Sequence, residues 1–162
     1  MTNLHMPLLS RGKYWEELKI GVMGRTLRRT VTETDLVNFI SVTGMLEAIF
    51  IDAEYPHAAI KGRLVPAALT QCLIEGMLFQ TVIQATGLAL LEIHTKAIAP
   101  VRVNDTIWGV LETTEIRPTS RENRAIVGSD VKVYNQENEL VLTYAVRRMV
   151  AGIPETKGLA AY

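Results

Sequence analysis

One charge interrupts an otherwise uncharged stretch of this sequence. Between Pro66 and Gly87 the residues are mostly Ala, Leu, Ile, Met, Phe, Val, Thr and Gln, and Glu75 is the single carboxylate. A carboxylate buried without partners is costly, and burial lifts its pKa toward neutrality. General acid–base catalysis uses a carboxyl group in that state. Glu75 is therefore a candidate acid or base; the alternative is a core carboxylate satisfied by an arginine or by backbone donors. His57, next to Pro56, is a candidate base in a loop, although a solvated loop histidine is the plainer reading. His94 alternates with Ile93 and Thr95 and reads as structural, and His5 belongs to a terminus. Cys72 has no base beside it in sequence and reads as a small core residue rather than a nucleophile. No grouping of these histidines with Cys72 has metal-ligand spacing, so no metal is expected.

The period of the apolar residues gives the elements that must position these groups. Residues 13–19 form a lead-in segment in which Tyr14, Trp15 and Leu18 can pack. A short strand is expected over residues 25–31. A helix follows, capped by Thr32, Thr34 or Asp35, with Leu36, Val37, Phe39, Ile40 and Val42 as its apolar face and Gly44 as its stop. A loop occupies residues 45–65. Pro66 then opens a helix of roughly 20 residues reaching Thr86, since proline at a first helical position loses no hydrogen bond. Apolar side chains lie on nearly every side of it, which predicts burial all round, inside a sheet. Strand-like segments rich in Val, Ile, Leu and Thr cover residues 88–101, 105–116, 124–134 and 139–150, with turn clusters between them. Consecutive strands joined by short turns predict an antiparallel meander, and with the central helix an α+β architecture.

The whole chain is 162 residues with 17 basic and 17 acidic side chains, 48% apolar and 21% charged. That is one domain with material for one core. A zero balance argues against a nucleic-acid binder and against a polybasic membrane anchor, and it lowers one barrier to self-association. One cysteine permits no internal disulfide. The first ten residues have no signal-peptide pattern, and the longest uncharged stretch is shorter than a membrane span. A soluble, cytoplasmic protein is expected.

Ordered segments of the sequence resemble the MaoC-like (R)-specific enoyl-CoA hydratase family. They are KYWEELKIG at 13–21, RTVTETDLVNFISVTG at 29–44, GRLVPAALT at 62–70, APVRVNDTI at 99–107 and NQENELV at 135–141, together covering about residues 13–150. The resemblance implies a hot-dog fold, a long curved antiparallel sheet around a central helix. It implies an acyl-thioester ligand, on coenzyme A or an acyl carrier protein, and a homodimer or higher homo-oligomer. It also implies an N-terminal extension over 1–12, a domain over 13–152 and a tail over 153–162. No cofactor is expected beyond the coenzyme A of the substrate.

The family's hydratase motif follows the glycine with an Asp and, five residues later, a His that together activate water. Here those positions are Met45 and Phe50, which are expected to line the pocket. Asp52 keeps the acidic residue two positions further on. Ala67 falls at the glycine whose backbone N–H supplies an oxyanion donor, and Glu75 falls at a helix serine. Glu47 lies inside the altered motif, so Glu47 and Glu75 are the candidate replacement acid–base pair, with His57 as a further base; the alternative leaves Glu47 on the surface. Lys61, Arg63 and Arg102 are candidates for the coenzyme A phosphates, as are Arg121, Arg147 and Arg148, although most such charges are merely solvated. The expected activity is hydration or dehydration of an enoyl or 3-hydroxyacyl thioester. The alternatives are a thioesterase using the central-helix Glu75, or a non-catalytic thioester binder.

Overall fold

The computed structural model describes residues 8–120 and 122–154. His5 and Arg121, with most of the expected extension and tail, lie outside the described residues. After a 3-10 turn at Trp15–Glu17 come β1 (Met23–Arg25), β2 (Arg29–Thr30), α1 (Glu33–Thr43), α2 (Ala48–Ile51), α3 (Ala67–Phe79), β3 (Gly87–Ala97), β4 (Thr106–Pro118), β5 (Arg124–Tyr134) and β6 (Leu140–Ala151). The expected strand over 25–31 is thus two short pieces, and the expected loop over 45–65 contains the single turn α2.

Helix α1 forms where its end signals place it. Asp35 N–H donates to Thr32 Oγ1, and Thr32 N–H donates back to Asp35 Oδ2. Burial by itself would raise the Asp35 carboxyl, but these bonds and the nearby Arg29 guanidinium hold it below its ordinary value. Gly44 ends the helix at φ 72°, a conformation that costs a glycine little. Only Leu36 and Ile40 of its apolar face are buried; Val42 is exposed.

The strand order is β1-β4-β5-β6-β3, with β2 also pairing β4, and every pairing is antiparallel. The meander holds for β4, β5 and β6. It fails for β3, which pairs β6 at the far edge instead of β4. The connection between them cannot fold back as a hairpin because other segments use its backbone. Val65 N–H donates to Val101 O, Val103 N–H to Arg63 O, and Asn104 N–H to Val31 O. The polypeptide before α3 therefore holds the crossover across the end of the sheet.

Helix α3 lies on the concave side of the sheet. Leu69, Leu73, Ile74 and Leu78 pack with Ile107, Val131, Val133, Leu142 and Val146 in one core. Each such buried side chain contributes about 1.5–3 kcal/mol relative to its exposed state. The helix stops at Phe79, short of the expected Thr86. Lys13 N–H donates to Val82 O and Gly12 N–H to Gln84 O, both at 2.8 Å, so carbonyls that could continue a helix serve the lead-in segment. Gly12 allows that approach, since a Cβ there would lie 2.5 Å from Val82 O. The helix is also not buried all round. Cys72 and Phe79 are exposed, so Cys72 is a surface residue and not the expected core residue. Among the described residues nothing covers that flank. No described helix is long and apolar enough to cross a membrane.

Candidate functional site

The first turn of α3 lacks a side-chain cap, because its N-cap position is Pro66. Thr70 N–H donates to Pro66 O at 3.1 Å, but the N–H groups of Ala67, Ala68 and Leu69 find no acceptor among the described residues. Such unmet donors, with the positive end of the helix dipole, attract an anionic or carbonyl oxygen. They stand beside a pocket of about 310 Å³. Phe50, Ile60, Leu64, Ile98 and Leu142 form apolar wall, and Pro66, Ala67 and Thr70 bring the helix start into it. Thr70 has the only polar side chain among the described lining residues. It is 1% exposed, and its hydroxyl has no hydrogen-bond partner among them.

Strand β6 places a second polar group on the core side of the sheet. Its Leu142, Tyr144, Val146, Arg148 and Val150 are all buried. Tyr144 donates its hydroxyl to Glu75 Oε1 at 2.7 Å, and Arg148 donates Nη2 to Glu75 Oε2. Burial, and then the adjacent Glu75 carboxylate, push the Tyr144 hydroxyl far above its ordinary value, so it remains a donor. Both oxygens of Glu75 are thereby engaged, as a buried charge requires. This cluster lies outside the lining of the pocket.

The residues singled out by sequence are not gathered in one place. Phe50 and Ala67 share the pocket. Met45 is not the lining residue expected: it follows the helix-ending Gly44 and is 41% exposed outside the lining. Glu47 is exposed at the N-cap position of α2, and no hydrogen bond joins it to Glu75. The structure therefore does not form the expected Glu47–Glu75 pair, because one carboxylate sits on the surface and the other is occupied in the core. His57 is exposed and stacks edge-on against Tyr55 at 5.7 Å. Asp52 closes α2, where its Oδ1 accepts from Glu54 N–H at 2.9 Å.

Among the candidate cations, Arg63 pairs with Glu33 and donates to the Phe50 carbonyl, fastening α2 beside α1. Lys61 and Arg102 are exposed, each next in sequence to a lining residue, Ile60 and Val101, and Arg102 Nε donates to the Lys61 carbonyl at 3.3 Å. Arg147 bridges Glu115 and Glu92 on the outer face of the sheet at 3.0 and 3.1 Å, and His94 joins Glu92 at 2.6 Å. Arg148 is a core residue and not a solvated cation. Among the described residues no group of His, Cys, Asp and Glu could hold a metal ion.

Sequence reasoning missed Thr70 and the partners of Glu75. The signal for Arg148 was present, since it alternates with Leu142, Tyr144, Val146 and Val150 at the strand period of two. Thr70 carried no comparable signal.

No protein-family model matches the sequence, and no curated protein matches it. Solved structures do match. A monoamine oxidase regulatory protein from Archaeoglobus fulgius is 25% identical with a TM-score of 0.80, covering 91% of this chain and 100% of that one. A MaoC-like dehydratase from Rhodospirillum rubrum is 21% identical with a TM-score of 0.77, covering 89% of this chain and 100% of the other. A Mycobacterium tuberculosis protein described as a double hot-dog fold is 18% identical with a TM-score of 0.80; 92% of this chain matches 47% of it. The fold is the hot-dog fold shared by MaoC-like dehydratases and (R)-hydratases, as the sequence resemblance implies.

Proposed function

We propose that this hot-dog domain binds an acyl thioester, with the thioester carbonyl at the start of α3, and acts on it as a hydratase or dehydratase. The observation that carries the reading is the uncapped first turn of α3 opening onto an apolar pocket. An acyl chain fits the apolar wall, and a carbonyl oxygen fits the free N–H of Ala67. Lys61 and Arg102, exposed nearby, suit the phosphates of coenzyme A. That substrate goes with a cytoplasmic location.

Hydration of an enoyl thioester breaks an O–H bond of water, forms a C–O bond at C3 and sends the alkene electron pair toward the thioester oxygen. Donors at that oxygen stabilise the enolate that forms. A proton then reaches C2 and restores the carbonyl. In this reading the Ala67 N–H supplies the oxyanion donor. Glu47 is also exposed outside the pocket lining, but it stands at the N-cap of the single turn α2 that carries the lining residue Phe50, and it is the candidate base and acid. Glu75 acts indirectly, by tying α3 to β6. His57 is exposed outside the pocket lining and is assigned no step.

A second reading rests on Phe50. Its ring lines the pocket at the position where the family's motif has a histidine, and this favours a thioester binder without water activation. A thioesterase acting through Glu75 fits less well, since Tyr144 and Arg148 occupy both carboxylate oxygens.

The test supplies crotonyl-CoA and 3-hydroxybutyryl-CoA to the protein while enoyl absorbance and free thiol are followed. Enoyl conversion without thiol release is the expected result. Glu47→Gln then lowers turnover at least about 100-fold with unchanged thermal stability. Thiol release alone would identify a thioesterase. Saturable binding with neither reaction would identify the binder.

A further inference from the structure

We infer that the Thr70 hydroxyl is a donor to the bound ligand, completing a two-donor site for one carbonyl oxygen with the N–H of Ala67. The assignment rests on the acyl-thioester reading above and adds to it a side chain that the resemblance does not supply. Helical side chains lean toward the N-terminus, so Thr70, at the fourth position of α3, projects back over the first turn. It lines the same pocket as Pro66 and Ala67.

The Thr70 side chain is 1% exposed and lines the pocket, yet its hydroxyl bonds to nothing among the described residues. A threonine in a helix commonly donates to the carbonyl four residues back. Here that carbonyl, Pro66 O, accepts from the Thr70 N–H and not from the hydroxyl. A hydroxyl so deeply buried lowers stability unless something satisfies it. The rest of the pocket wall has no side-chain acceptor to offer.

A ligand oxygen is the group that matches. A thioester carbonyl oxygen has two lone pairs and no proton. It can accept once from a first-turn N–H and once from the Thr70 hydroxyl while its acyl chain lies against Phe50, Ile60 and Leu142. A carbon or sulfur at the same place would leave both donors unmet. Thr70 thus selects for a carbonyl at that point in the pocket, and the site discriminates a thioester from the corresponding thioether.

The experiment measures dissociation constants of butyryl-CoA and octanoyl-CoA and of their carbonyl-free S-butyl and S-octyl thioether counterparts. The proteins are wild type, Thr70→Val and Thr70→Ser. Wild type should prefer each thioester over its thioether. Thr70→Val should shrink that preference by roughly threefold to tenfold, the worth of one neutral hydrogen bond, with thioether binding unchanged. Thr70→Ser should keep it. Ligand-free Thr70→Val should also melt no lower than wild type, because it removes an unpartnered buried hydroxyl without changing the shape of the side chain. A preference that survives Thr70→Val, or a loss equal for thioester and thioether, overturns the assignment while leaving the thioester reading standing. Failure of wild type to bind any of the four ligands overturns both.

Discussion

Glu75 illustrates how much a single charge can constrain a core. At 9% exposure it is held by one donor on each oxygen, and both donors come from β6. Removing one member of such a pair strands the other, which costs about 3–5 kcal/mol, whereas an apolar replacement of both members is tolerated. Arg148→Met should therefore lower urea stability by about that amount, and Glu75→Leu added to it should restore most of the loss. A double variant no more stable than the single one would show that the pair is not the unit described. The sequence made Glu75 conspicuous, because it is alone in an apolar run. Its partners lie 69 and 73 positions away, and pairing them needs the register of β6 against α3, which no local pattern encodes.

The elements were legible in proportion to how locally their ends are determined. Helix α1 carries its capping box and its glycine stop within its own sequence, and it forms between them. Strand β5 likewise spans Arg124–Tyr134, as its composition and the flanking turn clusters predict. Helix α3 ends early because Gly12 and Lys13, some 70 residues away, take the carbonyls beyond it. The place of β3 depends on the crossover that follows it. As an edge strand it is exposed along nearly its whole length, with Leu88 at 52%, Leu90 at 58% and Leu91 at 47%. An edge with open backbone groups and exposed leucines invites pairing with another strand. We propose that a second copy of the chain pairs there, which would also bring cover to the exposed flank of α3. Light scattering should give a dimer mass for the protein and a monomer mass for the Leu88→Lys, Leu90→Lys variant. A monomeric wild type would remove β3 as the interface.

At the scale of the molecule, the fold and the pocket separate two questions that the sequence had joined. The sheet, the central helix and the crossover create an apolar cavity at the start of α3, and the resemblance of ordered segments anticipated that arrangement. The chemistry in the cavity was less legible. The resemblance sets Met45 and Phe50 at the motif's Asp and His positions, whereas the donors at the pocket are backbone groups and one threonine, which leave little mark on a sequence. In the function proposed above, the α3 N-terminus polarises a thioester carbonyl. Butyryl-CoA labelled with carbon-13 at the carbonyl tests it most directly, read against Ala67→Pro, which removes one N–H at a helical position where proline is well accommodated. The carbonyl resonance should move downfield when the wild-type protein binds the thioester, and should move much less with a folded Ala67→Pro variant. No shift at saturation of the wild type, or an equal shift with the variant, would show that the Ala67 N–H does not polarise the carbonyl.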